Sequence, residues 1–208
     1  MIAIVDYGMG NLLSVKNALD YLGEENFICS NPDELINVNK IILPGIGGFP
    51  DCIKNLEASG FIPILNQLVL IEQKPIMGIC LGMQIMAEYG YEFTETKGLG
   101  WFNARVVNIN TISNTIKIPN VGWEEITYNK KSPLFKKLPS KSDFYLVHSF
   151  FMEFDDIDSL EIDAYYEVEG TKITAAIRKN NIFATQFHPE KSSELGMTLL
   201  ENFINWQP

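Results

Sequence analysis

The 208-residue sequence predicts an α/β fold: a mostly parallel central sheet with helices on both faces, plus added antiparallel strands in the second half. Three observations carry this prediction. In the first half, short apolar runs alternate with helical patterns, the order that builds a parallel sheet through right-handed crossovers. Those runs are apolar throughout rather than alternating, as in strands covered on both faces. The second half instead carries β-rich runs joined by turns, the pattern of antiparallel or mixed strands.

Ile2 to Val5 opens the chain as a buried strand, closed by Asp6, Gly8 and Gly10. Leu12, Leu13, Val15, Ala18, Leu19 and Leu22 then recur at helical spacing, with Gly23 as the stop. Phe27 to Cys29 reads as a second strand, and Lys40 to Leu43 as a third ended by Pro44-Gly45. Helical patterns follow around Cys52 to Ala58 and Ile62 to Glu72. Pro75 to Ile79 is the fourth strand, and Leu81 to Tyr89 is expected to be helical. Beyond it, Trp101 to Ile109, Thr115 to Ile118, Phe144 to Val147, Ala164 to Val168 and Ile173 to Ile177 are expected strands. Asn180-Asn181 is placed to turn a hairpin. A last helix runs from about Glu194 to Ile204. Without a repeat, linker or low-complexity tract, the expectation is a single domain over residues 1–208.

Composition narrows the function classes. Lys and Arg number 16 against 26 Asp and Glu, for a formal charge of −10. An acidic chain without a basic cluster is a poor partner for nucleic acid or an anionic membrane. The N-terminus lacks a basic signal-peptide region, and no apolar run approaches the ~20 residues of a membrane span. Cys29, Cys52 and Cys80 are an odd, widely spaced set that suggests neither a disulfide framework nor a metal site. The expectation is a reduced cytoplasmic protein without metal.

Gly78-Ile79-Cys80-Leu81-Gly82 carries the most chemistry. A strand leads into this G-x-C-x-G stretch and a helical pattern leaves it, the arrangement of a nucleophile elbow. Side chains at the two glycine positions would collide in so sharp a turn. The turn lifts Cys80 above the carboxyl edge of the sheet, where open α/β folds place ligands. A helix N-terminus beneath it favours thiolate. The N–H of Leu81 is a natural oxyanion donor. Cys29 and Cys52 read as inert core thiols.

A thiolate nucleophile needs a proton-transfer partner. The two histidines are His148 and His188. His188 lies in Phe187-His188-Pro189-Glu190, at the end of an apolar run that the proline stops. Glu190 can turn back on the far imidazole nitrogen, completing a Cys-His-Glu arrangement. A histidine at a strand end beside an exposed glutamate is the plainer alternative.

Gly78 to Gln84 together with Phe187 to Glu190 resembles the class I glutamine amidotransferases. Further stretches are similar to one branch of that family, the glutaminase subunits of imidazole glycerol phosphate synthase. They are Asp6 to Leu12, Leu43 to Phe49, Pro119 to Trp123, Val147 to Ser149 and His188 to Ser192, so the resemblance runs from Ile4 to the last helix. It implies a flavodoxin-like amidotransferase fold, no cofactor, and hydrolysis of L-glutamine through a cysteine thioester. The ammonia passes to a synthase/cyclase subunit held in a heterodimer.

By the same resemblance, Cys80 is the nucleophile, His188 the proton shuttle and Glu190 its orienter. Ser149 and Phe150 hold the glutamine through their backbone, and Gln84, one helical turn beyond Cys80, contacts it, although a polar capping residue fits that position equally. Gly45-Ile46-Gly47-Gly48 is the oxyanion strand, whose Gly47 and Gly48 join the Leu81 N–H in holding the oxyanion. Asn120, Trp123, His148 and Lys191 fall to the partner interface and the ammonia passage. The family's usual interface sequence is nearer Pro-His-Met-Gly-Trp-Asn, so Asn120 and Glu124 depart from it where the partner docks. Relatives that feed ammonia to enzymes modifying surface sugars are therefore an alternative. A non-catalytic regulatory domain would lack the triad, and other cysteine hydrolases lack the interface stretches.

Overall fold

The computed structural model describes residues 1–112, 117–156 and 161–208. Strand β1 (Ile2–Val5), helix α1 (Leu12–Tyr21), β2 (Asn26–Cys29), β3 (Lys40–Gly45), α2 (Phe49–Ala58), α3 (Phe61–Asn66) and β4 (Ile76–Cys80) follow the expected alternation. Next come α4 (Leu81–Gln84), β5 (Ala87–Gly90), β6 (Thr96–Lys97), β7 (Phe102–Asn108), β8 (Asn120–Tyr128), β9 (Ser142–His148) and β10 (Phe150–Glu153). The chain closes with β11 (Ile162–Val168), β12 (Thr171–Lys179), β13 (Ile182–Thr185) and α5 (Ser193–Asn205).

A nine-stranded sheet has the order β2-β1-β3-β4-β13-β12-β11-β8-β9, and a four-stranded sheet the order β10-β7-β5-β6. From β2 to β13 the neighbours pair in parallel, and from β13 to β9 they pair antiparallel. The antiparallel half is thus an extension of the same sheet. Alternate residues of β1 enter different cores: Ala3 and Val5 join Phe49, Leu56 and Phe61 of α2 and α3, whereas Ile2 and Ile4 join Val15, Leu19, Leu199 and Phe203 of α1 and α5. Both sheet faces are covered, which is why these strands are apolar without alternation.

Three expectations change. The helix expected over 81–89 stops at Gln84. The carbonyls of Ile85, Met86 and Ala87 accept from Leu99, Trp101 and Gly100 instead of continuing a helical ladder. Ile85, Met86 and Ala87 are fully buried, so the apolar run lacks the solvent face of a surface helix. The helix expected over 62–72 is α3 followed by a π-helical turn, Gln67–Ile71. In the strand expected over 115–118, residues 115 and 116 lie outside the described residues, and 117 and 118 are not in a strand. The Asn180-Asn181 turn joins β12 to β13 with Asn180 at φ 51°, a conformation asparagine tolerates.

Candidate active site

Cys80 ends β4 with φ 56° and ψ −111°, an elbow that leaves this largely buried residue on a cleft at the carboxyl edge of the parallel strands. The flanking glycines answer to contact. A Cβ on Gly78 would sit 2.8 Å from the Gly82 carbonyl oxygen, and one on Gly82 would sit 1.9 Å from that of Leu43. The turn is therefore pressed directly onto β3. Its following helix has only four residues, so it supplies less of the field expected to favour thiolate.

A cleft of about 280 Å³ opens at this edge. Cys80, Leu81, Gln84, Gly47, Ser149, Phe150, His148 and His188 line it, joined by Ile46, Glu92, Pro119 and Val147. Six separate chain segments thus converge there.

His188 is 2% exposed and follows β13. Its Nδ1 lies 2.8 Å from Oε1 of Glu190, whose side chain is buried rather than exposed. Nε2 of His188 is buried and has no hydrogen-bond partner among the described residues. Ser192 holds the segment, its hydroxyl donating to the His188 carbonyl at 2.6 Å and accepting from the Tyr145 N–H at 3.0 Å. Burial works against a charged imidazole, but Cys80 and the Glu190 carboxylate outweigh it, and the His188 pKa rises to about 9.

His148, expected at the partner interface or ammonia passage, lines the cleft as a buried side chain. It is 5% exposed, with Nδ1 2.7 Å from the Phe150 carbonyl and Nε2 2.9 Å from the Tyr166 hydroxyl. The carbonyl can only accept, so Nδ1 carries the proton and Tyr166 donates to Nε2. Burial lowers its pKa to about 4, against the pull of the Phe150 carbonyl. It is a neutral hydrogen-bonding residue of the cleft wall.

Gln84 is 5% exposed, and its Nε2 donates to the Phe150 carbonyl at 2.8 Å and to Gln186 Oε1 at 2.9 Å. Both amide hydrogens are used, so only its oxygen can meet a substrate. The carbonyls of Ser149 and Phe150 are likewise engaged, by Ile109 N–H and by Gln84 with His148. Gly47 lines the cleft at φ +98°, whereas Gly48 does not line it and has φ −94° as the N-cap of α2. Only Gly47 of the two thus holds the positive φ that favours glycine.

Trp123 is 51% exposed on β8, edge-on to Tyr145, with Val121 at 55% on the same strand face. At that exposure Trp123 is not a core aromatic. Asn120 Nδ2 lies 3.3 Å from both Glu124 Oε1 and the Tyr166 hydroxyl, so the two departing residues touch each other. Lys191 is exposed.

Sequence reasoning missed Glu92, Gln186 and Tyr166. Glu92 lines the cleft and accepts from the Phe49 N–H at 2.6 Å. No local pattern marked it, because it follows the unforeseen strand β5. Gln186 carried a signal: it stands two residues before His188 at a strand end, so both side chains point to one side.

A family model, Glutamine amidotransferase class-I, matches residues 3–206. The chain is 48% identical over 204 residues to the imidazole glycerol phosphate synthase subunit HisH 1 of Campylobacter jejuni (strain RM1221), covering 98% of this chain and 99% of that one. It is 40% identical over 208 residues to the HisH subunit of Pelagibacter ubique (strain HTCC1062), covering 98% and 99%. Among solved structures, PurLQS of Thermotoga maritima superposes with a TM-score of 0.74 at 22% identity, over 98% of this chain and 97% of that one, a likeness of fold. The chain belongs to the class I glutamine amidotransferases, in the family of imidazole glycerol phosphate synthase HisH subunits.

Proposed function

We propose that Cys80, His188 and Glu190 form the glutaminase triad of this amidotransferase. The observation that carries the reading is His188: Nδ1 is fixed by Glu190, while Nε2 is buried and without a partner among the described residues, in a side chain that lines the cleft together with Cys80. The Cys80 thiolate adds to the carboxamide carbon of glutamine, and the carbonyl becomes an oxyanion facing the Leu81 N–H. His188 protonates the departing nitrogen, the C–N bond breaks, and ammonia leaves a thioester on Cys80. His188 then takes a proton from water, which attacks the thioester. The C–S bond breaks, releasing glutamate and restoring the thiolate.

Gln84 presents its free oxygen to the substrate ammonium, and Glu92 adds a carboxylate on the same side of the cleft. Ser149 and Phe150 hold the substrate carboxylate with groups other than their engaged carbonyls. Turning the peptide at Gly47 would bring a second N–H to the oxyanion, and glycine permits that turn at low cost.

The chain acts as one amidotransferase domain and as a subunit. Free ammonia is lost or protonated in water, so a synthase/cyclase partner must dock over the cleft. The exposed Val121 and Trp123 beside Pro119 supply an apolar face for it. Three free thiols suit a reducing, cytoplasmic setting. The Asn120–Glu124 contact favours one second reading, a partner that modifies surface sugars; isolating the companion subunit from the host decides between them.

The test is Cys80→Ala. Glutamine-dependent synthesis by the complex should vanish while synthesis from added ammonium persists. Undiminished glutamate release by this variant would overturn the triad.

A further inference from the structure

We propose that Gln186 is a positioning residue of this site, donating an N–H to the Cys80 sulfur and stabilising its thiolate. The inference rests on the reading of Cys80 as nucleophile. Gln186 is fully buried just beyond β13. In the parallel pairing of β13 with β4, Thr185 stands opposite Ile79, and one step further sets Gln186 beside Cys80. Its Nε2 lies 3.7 Å from Cys80 Sγ, a hydrogen-bond distance for sulfur.

The orientation of this amide follows from a single backbone group. The Phe150 carbonyl can only accept, so the Gln84 nitrogen must face it. The second hydrogen of that nitrogen points to Gln186, which must answer with its oxygen. The Gln186 nitrogen is then left for sulfur. Reversing the Gln186 amide would set two N–H groups against each other and aim an oxygen at a thiolate. A buried amide costs more than an apolar side chain of the same shape unless its polar atoms are used. Here one is spent on Gln84 and the other on the nucleophile.

The other groups near Cys80 leave room for such a donor. The Val147 carbonyl lies 4.0 Å from Sγ and offers a thiolate nothing. Tyr7 and Cys52 feel the charge on Cys80, but burial raises both, Cys52 to about 12 and Tyr7 well above its ordinary value, so they stay neutral. His148, from β9, is held neutral by burial. The charged pair His188 and Glu190 faces Cys80 from one side, and α4 is a single turn long. Gln186 supplies a fixed donor that remains when His188 gives up its proton to the leaving ammonia.

The test is the pH profile of Cys80 alkylation by iodoacetamide, read by mass spectrometry on the full chain, with glutamate release measured in parallel in its complex. Cys29 and Cys52 are pushed to about 11 and about 12, so they react little near neutrality. In Gln186→Met the alkylation midpoint should rise by about one to two pH units, leaving roughly 10- to 100-fold less thiolate at neutral pH, the worth of a hydrogen bond to a charged group. A folded Gln186→Met with the wild-type midpoint would refute the proposal. If that variant does not fold, the side-chain amide resonances of Gln186 in ¹⁵N-labelled wild-type chain decide: they should shift with the Cys80 midpoint and lose that shift in Cys80→Ser. Resonances indifferent to Cys80 ionisation refute it equally. Alkylation of Cys80 that leaves glutamate release intact would instead refute the nucleophile, whatever Gln186 does.

Discussion

His188 and His148 share one cleft and titrate in opposite directions. Burial depresses both, but only His188 has Cys80 and a buried carboxylate to offset it, so it rises to about 9 while His148 falls to about 4. The raised pKa of His188 stabilises the fold fully below about pH 6.5 and ceases to as pH passes about 9. The lowered pKa of His148 works the other way: its neutral form is stabilising above about pH 6.5, and that contribution is lost as pH falls toward 4. Urea midpoints measured across this range should decline on both sides of neutrality. The alkaline decline should flatten in His188→Ala. An unchanged alkaline arm would show that His188 is not held charged. The same geometry ranks two catalytic variants: His188→Ala removes the proton shuttle, while Glu190→Gln leaves the imidazole in place and should be roughly 10²-fold milder in turnover. Glutamate release by the complex provides the comparison.

At the scale of elements, the elbow and the oxyanion strand tolerate change unequally. A Cβ on Gly82 would meet the Leu43 carbonyl oxygen at 1.9 Å, so Gly82→Ala must part β4 from β3 and should abolish folding or lower stability by more than ~4 kcal/mol. Gly122 meets nothing within 4 Å, and Gly122→Ala should shift stability by no more than ~0.5 kcal/mol. Thermal melts of the two variants test the contrast. In the oxyanion strand, Gly47 combines φ +98° with a Cβ position 2.7 Å from Met9 Cε, whereas Gly48 has ordinary φ and a Cβ position in ordinary contact with Glu92 and Asp51, at 3.6 and 3.7 Å. Gly47→Ala should impair partner-stimulated glutamate release and Gly48→Ala should leave it near wild type. Equal loss in both would mean that the backbone turn is not at Gly47.

For the molecule as a whole, the exposed Val121 and Trp123 of β8 follow Pro119, which lines the cleft, so the proposed docking face adjoins the proposed catalytic site. Trp123 is half exposed, so Trp123→Ala should leave the thermal melt of the chain unchanged while weakening partner binding by ~2 kcal/mol or more. Titration calorimetry against the partner measures the loss; unaltered affinity would place the interface elsewhere. A partner loaded with its acceptor should also raise glutamate release on the order of 10²–10³, the worth of one added oxyanion donor. A lone chain already fully active would remove any need for gating.

The sequence by itself determined the alternation of strand and helix, the elbow at Cys80 and the segment carrying His188 and Glu190. Each depends on neighbours in the chain: an apolar run, two glycines that tolerate a sharp turn, a proline that ends a strand. Tertiary structure alone decided the rest. The run after Gln84 is apolar enough for a helix, but its carbonyls are captured by residues 99–101, a long-range competition that no local pattern records. β8 was hidden by Gly122, Glu124 and Glu125, because it lies toward the sheet edge, where one face meets water. His148 is buried and Trp123 exposed, although both were assigned to the partner interface or ammonia passage, since burial is fixed by which strands stack and not by residue type. The cleft itself is assembled from six separate segments, and its buried imidazole nitrogen, without a partner among the described residues, is enclosed only once they meet.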